Sequence, residues 1–208
     1  MKRKDIMHRS LQSLKHAKIR TAFTSLAISV GAFTISAALS AGYGTKQYIE
    51  DLLAENVDIS EKKALLDAVA FAEAGVIFFG CLALLASVFG IINTQYISVL
   101  ERKRQIGMMR SLGVHAKDVS KLFRYEAGLI GLFGGLIGCA LAFILTLFND
   151  PLIRMLQTNP NEQPPKLLIF DWVSSSALLI FLIIIAVIAG YFPARKAAKL
   201  RPVEALRG

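Results

Sequence analysis

Apolar residues along this chain are gathered into four long runs rather than alternated with polar ones. Thr21–Thr45, Ala74–Leu100, Ala127–Asn149 and Trp172–Ala194 hold no Asp, Glu, Lys or Arg over 25, 27, 23 and 23 residues. A helix crossing a bilayer needs about 20 apolar residues. A chain in lipid must also satisfy its own backbone polar groups, which selects helices or closed barrels. Continuous apolar runs exclude the barrel, whose strands alternate. The pattern predicts transmembrane helices at 21–44, 74–100, 127–149 and 172–193. The first run is too long for the apolar core of a signal peptide, and three more follow it.

Composition agrees. Hydrophobic residues make up 54% of the chain, and charged ones 19%, against about 25% charged in a soluble domain. The distribution of charge adds orientation. Nineteen of the 24 Lys and Arg residues lie in 1–20, 101–126 and 195–208, and five lie in the other two connections. The positive-inside rule then places both termini and the middle loop in the cytoplasm. The net charge of +9 is a sum over two sides and points to an anionic inner leaflet of membrane lipid rather than nucleic acid. The expected fold is an all-α integral membrane protein with four transmembrane helices, N-in and C-in.

Catalytic motifs are missing. There is no P-loop, no G-x-S-x-G and no H-E-x-x-H, so the sequence predicts neither an enzyme nor a metal site. Cys81 and Cys139 fall inside spans and read as packing residues. His8, His16 and His115 have no ligand spacing. Asn93-Thr94-Gln95 reads as an interhelical hydrogen-bond patch. Packing is more informative. Gly128, Gly131, Gly134, Gly135 and Gly138 form a small-residue seam in span three, where another helix can approach closely. Ser25, Ser29, Ser36 and Ser40 in span one, and Gly80, Ala83, Ser87 and Gly90 in span two, offer similar faces. Span four is mostly Leu, Ile and Phe before Gly190 and is expected to face lipid. Three tight faces suggest a bundle that also meets a second copy.

The cytoplasmic pieces carry the function. Residues 1–20 are basic, with Ile6, Met7, Leu11, Leu14 and Ala17 spaced for an amphipathic interfacial helix. In the middle loop, 101–126, span two can continue as a helix. Ile106, Met109 and Leu112 would lie along one side, and Gly113 would stop it. A second short helix leads from about Lys117 into span three. A short helix with an apolar side and a basic side suits a partner's groove.

The stretch from Ile97 to Gly113, ISVLERKRQIGMMRSLG, followed by Tyr125-Glu126 and the glycine seam, resembles the FtsX/MacB-type ABC transporter permeases. Their pattern there is E-R-x-R-E-I-G-x-x-R-x-L-G, then E-x-x-x-x-G-x-x-G-G-x-x-G. Gln105 stands where the family has Glu. The tail from Phe192, FPARKAAKLRPVEALR, is similar to the family ending P-A-x-x-A-A-x-L-x-P-V-E-A-L-R. The matching tail positions are Pro193, Ala194, Ala197, Pro202, Glu204, Ala205 and Leu206. The resemblance implies that the middle loop supplies a coupling helix seated on a separate ATPase, with Glu101, Arg102, Ile106, Gly107, Arg110, Leu112 and Gly113 as coupling residues. Lys117, Lys121 and Arg124 read as inner-face anchors. It also implies two ATPase copies and a second permease, as a homodimer or close heterodimer. ATP and magnesium would be bound by the ATPase, with no cofactor held by this chain.

One connection departs from the family. Members normally carry a folded domain between spans one and two, and here only residues 45–73 join them. Tyr48, Ile49, Leu52 and Leu53 suggest one helix, Asn56–Ser60 a break, and Leu65, Leu66, Val69 and Phe71 a second helix running into span two. Asp58 and Glu61 could form a capping-box analogue. This looks like the family's stalk without its head, as in a naturally headless member or a shortened chain. The outer connection 150–171 holds four of the six prolines and reads as an irregular loop with a short amphipathic turn at Leu152–Leu156. It is a place where an extracytoplasmic accessory protein could be met. The functional expectation is a permease subunit of the cytoplasmic membrane of a prokaryote, coupling ATP hydrolysis to export or mechanotransmission. The alternative is a scaffold that regulates an extracellular enzyme, such as a cell-wall hydrolase, without transport.

Overall fold

The computed structural model describes residues 18–52, 59–149 and 166–199. These contain five helices: α1 Lys18–Leu52, α2 Ile59–Glu101, α3 Lys103–Ser111, α4 Ala116–Leu147 and α5 Trp172–Ala198. Four of them are long and apolar enough to cross a membrane. Residues 1–17, the break at 53–58, the loop at 150–165 and the tail from 200 lie outside the described residues, and with them the interfacial helix, the Asp58 cap and the Leu152–Leu156 turn.

The four long helices alternate in direction and form a square. α1 lies between α2 and α4, and α5 lies opposite α1, also between α2 and α4. α1 and α2 run antiparallel, so that Gly31 meets Leu84, Gly80 meets Ile35, and Thr24 Oγ1 lies 2.8 Å from Thr94 Oγ1. α1 and α4 run in the same direction, with Gly134 on Ile28 and Gly138 on Ala32. Ile28, Ala32, Ile91, Ala127, Ile130, Leu182 and Ala186 close the core.

The glycine seam of α4 has two sides. A Cβ on Gly131 would lie 2.5 Å from Ala186 Cβ, and one on Gly135 would lie 2.7 Å from Leu179 Cδ1, both on α5. Gly128 faces Val187 of α5 as well. A Cβ on Gly138 would lie 2.5 Å from Ala32 Cβ, and one on Gly134 would lie 2.7 Å from Ile28 Cβ, both on α1. In lipid, apolar surface gains little by leaving one apolar medium for another, so close backbone packing must hold helices together. The seam supplies it in two directions.

Span four needs a correction. α5 does not simply face lipid: Leu178, Leu182, Ala186, Ala189, Gly190, Pro193, Ala194 and Ala197 form a buried stripe, and α5 packs closely on α4. Its bulky composition hid a face marked every three to four residues by smaller side chains. Of the spans, α2 is the least covered. Phe78, Phe79, Leu82, Leu85 and Phe89 are exposed along it, and a Cβ on Gly75 would meet nothing within 4 Å. The small residues of α2 are thus only partly used within one chain.

At 43 residues, α2 is about 64 Å long at 1.5 Å per residue, roughly twice the hydrocarbon thickness. Its first turns, with the end of α1, stand beyond the apolar layer as an antiparallel pair. Lys46 Nζ donates to Glu73 Oε2 at 2.7 Å across them, and the Glu73 carboxylate fills the notch left by Gly42. The segment before α5 lies over α1, where Ile169 N–H donates to the Ser40 carbonyl at 3.0 Å. Asp171 then caps α5, accepting from Val173 N–H at 3.2 Å and Ser174 N–H at 2.8 Å.

Candidate functional site

At the basic end of the bundle, α2 does not pass straight into the charged segment. Arg102 has φ −101° and ψ 12°, away from the helical values of about −63° and −42°. The path bends there without being cut. Arg102 N–H donates to the Ser98 carbonyl at 3.2 Å, and Ile106 N–H donates to the Arg102 carbonyl at 2.9 Å. α3 follows as a helix of 9 residues.

Its end is a Schellman motif. Gly113 has φ +87°, a conformation that glycine adopts without a Cβ penalty. Gly113 N–H donates to the Arg110 carbonyl and Val114 N–H to the Met109 carbonyl, both at 3.1 Å. This pairing is the six-to-one and five-to-two pattern that closes such helices. Met109 and Val114, the two apolar positions that accompany the motif, pack on one cluster with Val99, Ile106, Val119, Phe123, Ala194 and Ala197. α3 is thereby seated against the ends of α2 and α5 and the start of α4. Ala194 and Ala197 are fully buried, and their small side chains let Ile106 approach α5.

The residues expected to couple separate into two groups. Ile106, at 1% exposure, and Gly107 face inward. Arg110 donates from Nη1 to the Ala198 carbonyl at 3.4 Å, so it ties α3 to α5. Glu101 accepts from Arg20 Nη2 of α1 at 2.5 Å, and Arg102 donates from Nη1 to Glu126 Oε1 of α4 at 2.9 Å. Leu112 requires a second correction. It does not share a side with Ile106 and Met109, and it is 84% exposed. Six residues separate it from Ile106, which at about 100° per residue turns it about 120° away. It aligns instead with Met108, 45% exposed, four residues before it. Arg104 and Gln105 are exposed one turn earlier. The outward face therefore carries two apolar side chains behind one basic one.

Of the tail positions, Pro193, Ala194 and Ala197 are buried at the end of α5, and Pro202, Glu204, Ala205 and Leu206 lie outside the described residues. Lys196 Nζ donates to Tyr96 Oη at 2.5 Å and sits 4.3 Å from the ring centroid, which joins α5 to α2. Lys121 lies 3.7 Å from Asp118. Among the described residues, no group of three His, Cys, Asp or Glu gathers as a metal site would need.

Sequence reasoning missed Glu126 as a partner for Arg102, Phe123 as the centre of the inner cluster, and Met108 as an outward anchor. A signal existed for the first two. Glu126 is the last charge before an uncharged run, and Val119, Phe123, Ala127 and Ile130 repeat at helical spacing.

Residues 77–202 match the FtsX-like permease C-terminal family. Among similar sequences, an uncharacterised ABC transporter permease of Methanocaldococcus jannaschii is 37% identical over 136 residues, covering 64% of this chain and 32% of the relative. The ABC transporter permease YtrF of Bacillus subtilis is 32% identical over 138 residues, covering 64% of this chain and 32% of YtrF. The macrolide export ATP-binding/permease protein MacB of Escherichia coli is 33% identical over 132 residues, covering 63% of this chain and 19% of MacB. The matched part of this chain thus spans a third or less of the length of each of these relatives.

Proposed function

The chain belongs to the FtsX-like permease family, a group of multi-pass proteins of the cytoplasmic membrane, and from that premise we propose that it is the transmembrane subunit of an ABC transporter. Its basic end faces the cytoplasm and receives a separate ATPase on α3. The observation that carries this reading is the seating of α3. A short helix fixed to α2, α4 and α5 presents Met108 and Leu112 outward beside Arg104. Apolar side chains at i and i+4 on a helix suit an apolar groove with an acidic rim.

A change in the ATPase would move α3 and, through the cluster around Phe123, the ends of α4 and α5. The seam binds α4 to α1 and α5 by backbone proximity, so the movement passes along whole helices to the outer end. MacB is an ATP-binding/permease protein of macrolide export, which supports ATP-driven work for this chain. The packed core of Ile28, Ala32, Ile91, Ile130 and Leu182 favours mechanical transmission over passage through the middle of one bundle. That also supports the scaffold reading, in which the outer ends of α1 and α2 act on an extracellular enzyme. A second permease copy is seated on the exposed face of α2.

Co-expression with the cognate ATPase tests docking. Replacing both Met108 and Leu112 by Asp should abolish co-purification while the chain still folds. Retention of the ATPase by that variant would refute the docking role of α3. Reconstituted vesicles separate the two outputs: ATP-dependent release of a substrate supports export, and hydrolase activation without flux supports the scaffold.

A further inference from the structure

Glu101 and Arg102 are consecutive, yet they reach different helices. Glu101 meets Arg20 of α1 in a pair open to solvent, with side-chain exposures of 29% and 51% for Arg20 and Glu101. Arg102 meets Glu126 of α4 in a closed one, with 18% and 2% for Arg102 and Glu126. Arg102 is also the residue at which the path from α2 to α3 bends. The side chain anchored in α4 thus belongs to the bend itself.

A carboxylate this buried is costly unless a charge and a hydrogen bond compensate it. Turning Arg102 outward to a partner protein would withdraw that compensation from Glu126. Met108 and Leu112 need no such release, because they are already exposed. The pair is therefore placed to fix geometry, and the outward face to make contact.

We propose that Arg102 and Glu126 form an internal clasp that sets the angle of α3 against α4, so that Arg102 is a positioning residue and does not touch the ATPase. The proposal rests on the docking reading above for its consequence, but the clasp itself can be read without an ATPase. Movement of α3 reaches α4 through this pair, and loosening the pair uncouples the two helices while leaving the docking face intact.

The test compares Arg102→Met, Glu126→Gln, the apolar double variant Arg102→Met/Glu126→Leu, and Met108→Asp/Leu112→Asp in the full chain. Three quantities are read: thermal melting, the distance distribution between spin labels at Ser111 and Lys121, and, with the cognate ATPase, co-purification and hydrolysis per bound complex. Both single clasp variants should broaden the label distance and lower coupled hydrolysis by about tenfold, with co-purification held within about twofold, a coupling typical of directly paired residues. The apolar double variant should recover the melting temperature lost by the single variants, since packed apolar replacements for buried ion pairs are tolerated. Its label distance should stay broad and its hydrolysis low, which a role in stability alone would not give. An unchanged label distance in both single variants would overturn the clasp. So would an Arg102→Met variant that loses the ATPase as fully as Met108→Asp/Leu112→Asp while Glu126→Gln keeps it. If the Met108/Leu112 variant keeps the ATPase and the single variants still broaden the label distance, the docking reading fails and the clasp stands.

Discussion

The middle of the bundle and its basic end are held in different ways. In the middle, α4 meets α1 and α5 through glycines; at Gly131, Gly134 and Gly138 neighbouring Cβ and backbone atoms occupy the places of absent side chains, and at Gly128 and Gly135 the tips of Val187 and Leu179 do. No charged residue takes part. At the basic end, α3 is held by a compact apolar cluster and a hydrogen bond from Arg110 to the end of α5, and the junction of α2 with α3 by two ion pairs. Backbone proximity leaves little freedom, because a shift of half an ångström brings hard atoms together. Side-chain clamps can be released and remade. The contrast teaches that the middle resists rearrangement, whereas the end is held by contacts that can be exchanged.

The strongest challenge to that contrast is Phe123→Ala. Phe123 is 1% exposed at the centre of the inner cluster, and such truncations cost about 3–5 kcal/mol. The loss should be local: hydrogen exchange should rise across α3 and the start of α4 while the seam stays protected. Equal loss of protection in both regions would show that they form one cooperative unit. Gly138→Leu is next. Its Cβ would lie 2.5 Å from Ala32 Cβ and 2.7 Å from the Ser29 carbonyl oxygen, and overpacking of this kind costs about 1–3 kcal/mol. Here the opposite pattern is expected. A cysteine pair between α1 and α4 near Ile28 and Gly134 should crosslink poorly, and exchange should rise along both helices.

The sequence exposed the parts of this arrangement that rest on exclusion. A charge inside lipid is expensive, so the four spans stood out, and with them the basic end. Glycines at four-residue spacing on a span have few uses besides close approach, so Gly131, Gly134, Gly135 and Gly138 were visible as a seam. Its division between two neighbours was not, because spacing along one helix does not say which helix lies opposite. Gly113 was legible as a stop because a helix ending requires a particular backbone conformation. The bend at Arg102 was not, since Glu101, Arg102 and Lys103 are all good helix formers and the turn follows from tertiary anchoring to Glu126. Leu112 follows Ile106 and Met109 at three-residue spacing, which drifts about 60° per step on an α-helix and carries it to the outward face. The buried stripe of α5, from Leu178 and Leu182 to Ala186 and Ala189, is periodic in the sequence but was masked by large residues on every other face.

A smaller effect separates the two ion pairs at the basic end. Arg20→Ala removes a pair that is open to solvent at Glu101 and half-buried at Arg20, and pairs near the surface contribute about 0–1 kcal/mol. Melting should fall slightly, and the difference from the parent chain should shrink in high salt, where exposed charges are screened. The buried Arg102–Glu126 pair should show little salt dependence. If both variants lose their effect in salt to the same degree, the burial difference between the two pairs is not what governs the junction.

The smallest expected effect lies at the opposite end, where α5 begins. Hydrogen bonds from Ser174, with a further one from Val173, hold the Asp171 carboxyl below the ordinary carboxylate range. A group with a lowered folded-state pKa binds its proton more readily in the unfolded chain. Its contribution is therefore present in full above the ordinary carboxylate range and is lost as pH falls through the lowered value. Asn at the same position can still cap α5 through its side-chain oxygen, but it does not titrate. Asp171→Asn should melt close to the parent at neutral pH. It should lose less stability than the parent when the pH is lowered through the acid range. The seam, which has no titrating group, should contribute nothing to that difference. The comparison is therefore best made in a Gly131→Leu background as well, where the added side chain would meet Ala186 Cβ of α5 at 2.5 Å. If the acid sensitivity removed by Asp171→Asn vanishes once the seam is disrupted, the cap stabilises α5 only through its packing on α4. If it persists, the cap holds the first turn of α5 independently of the seam.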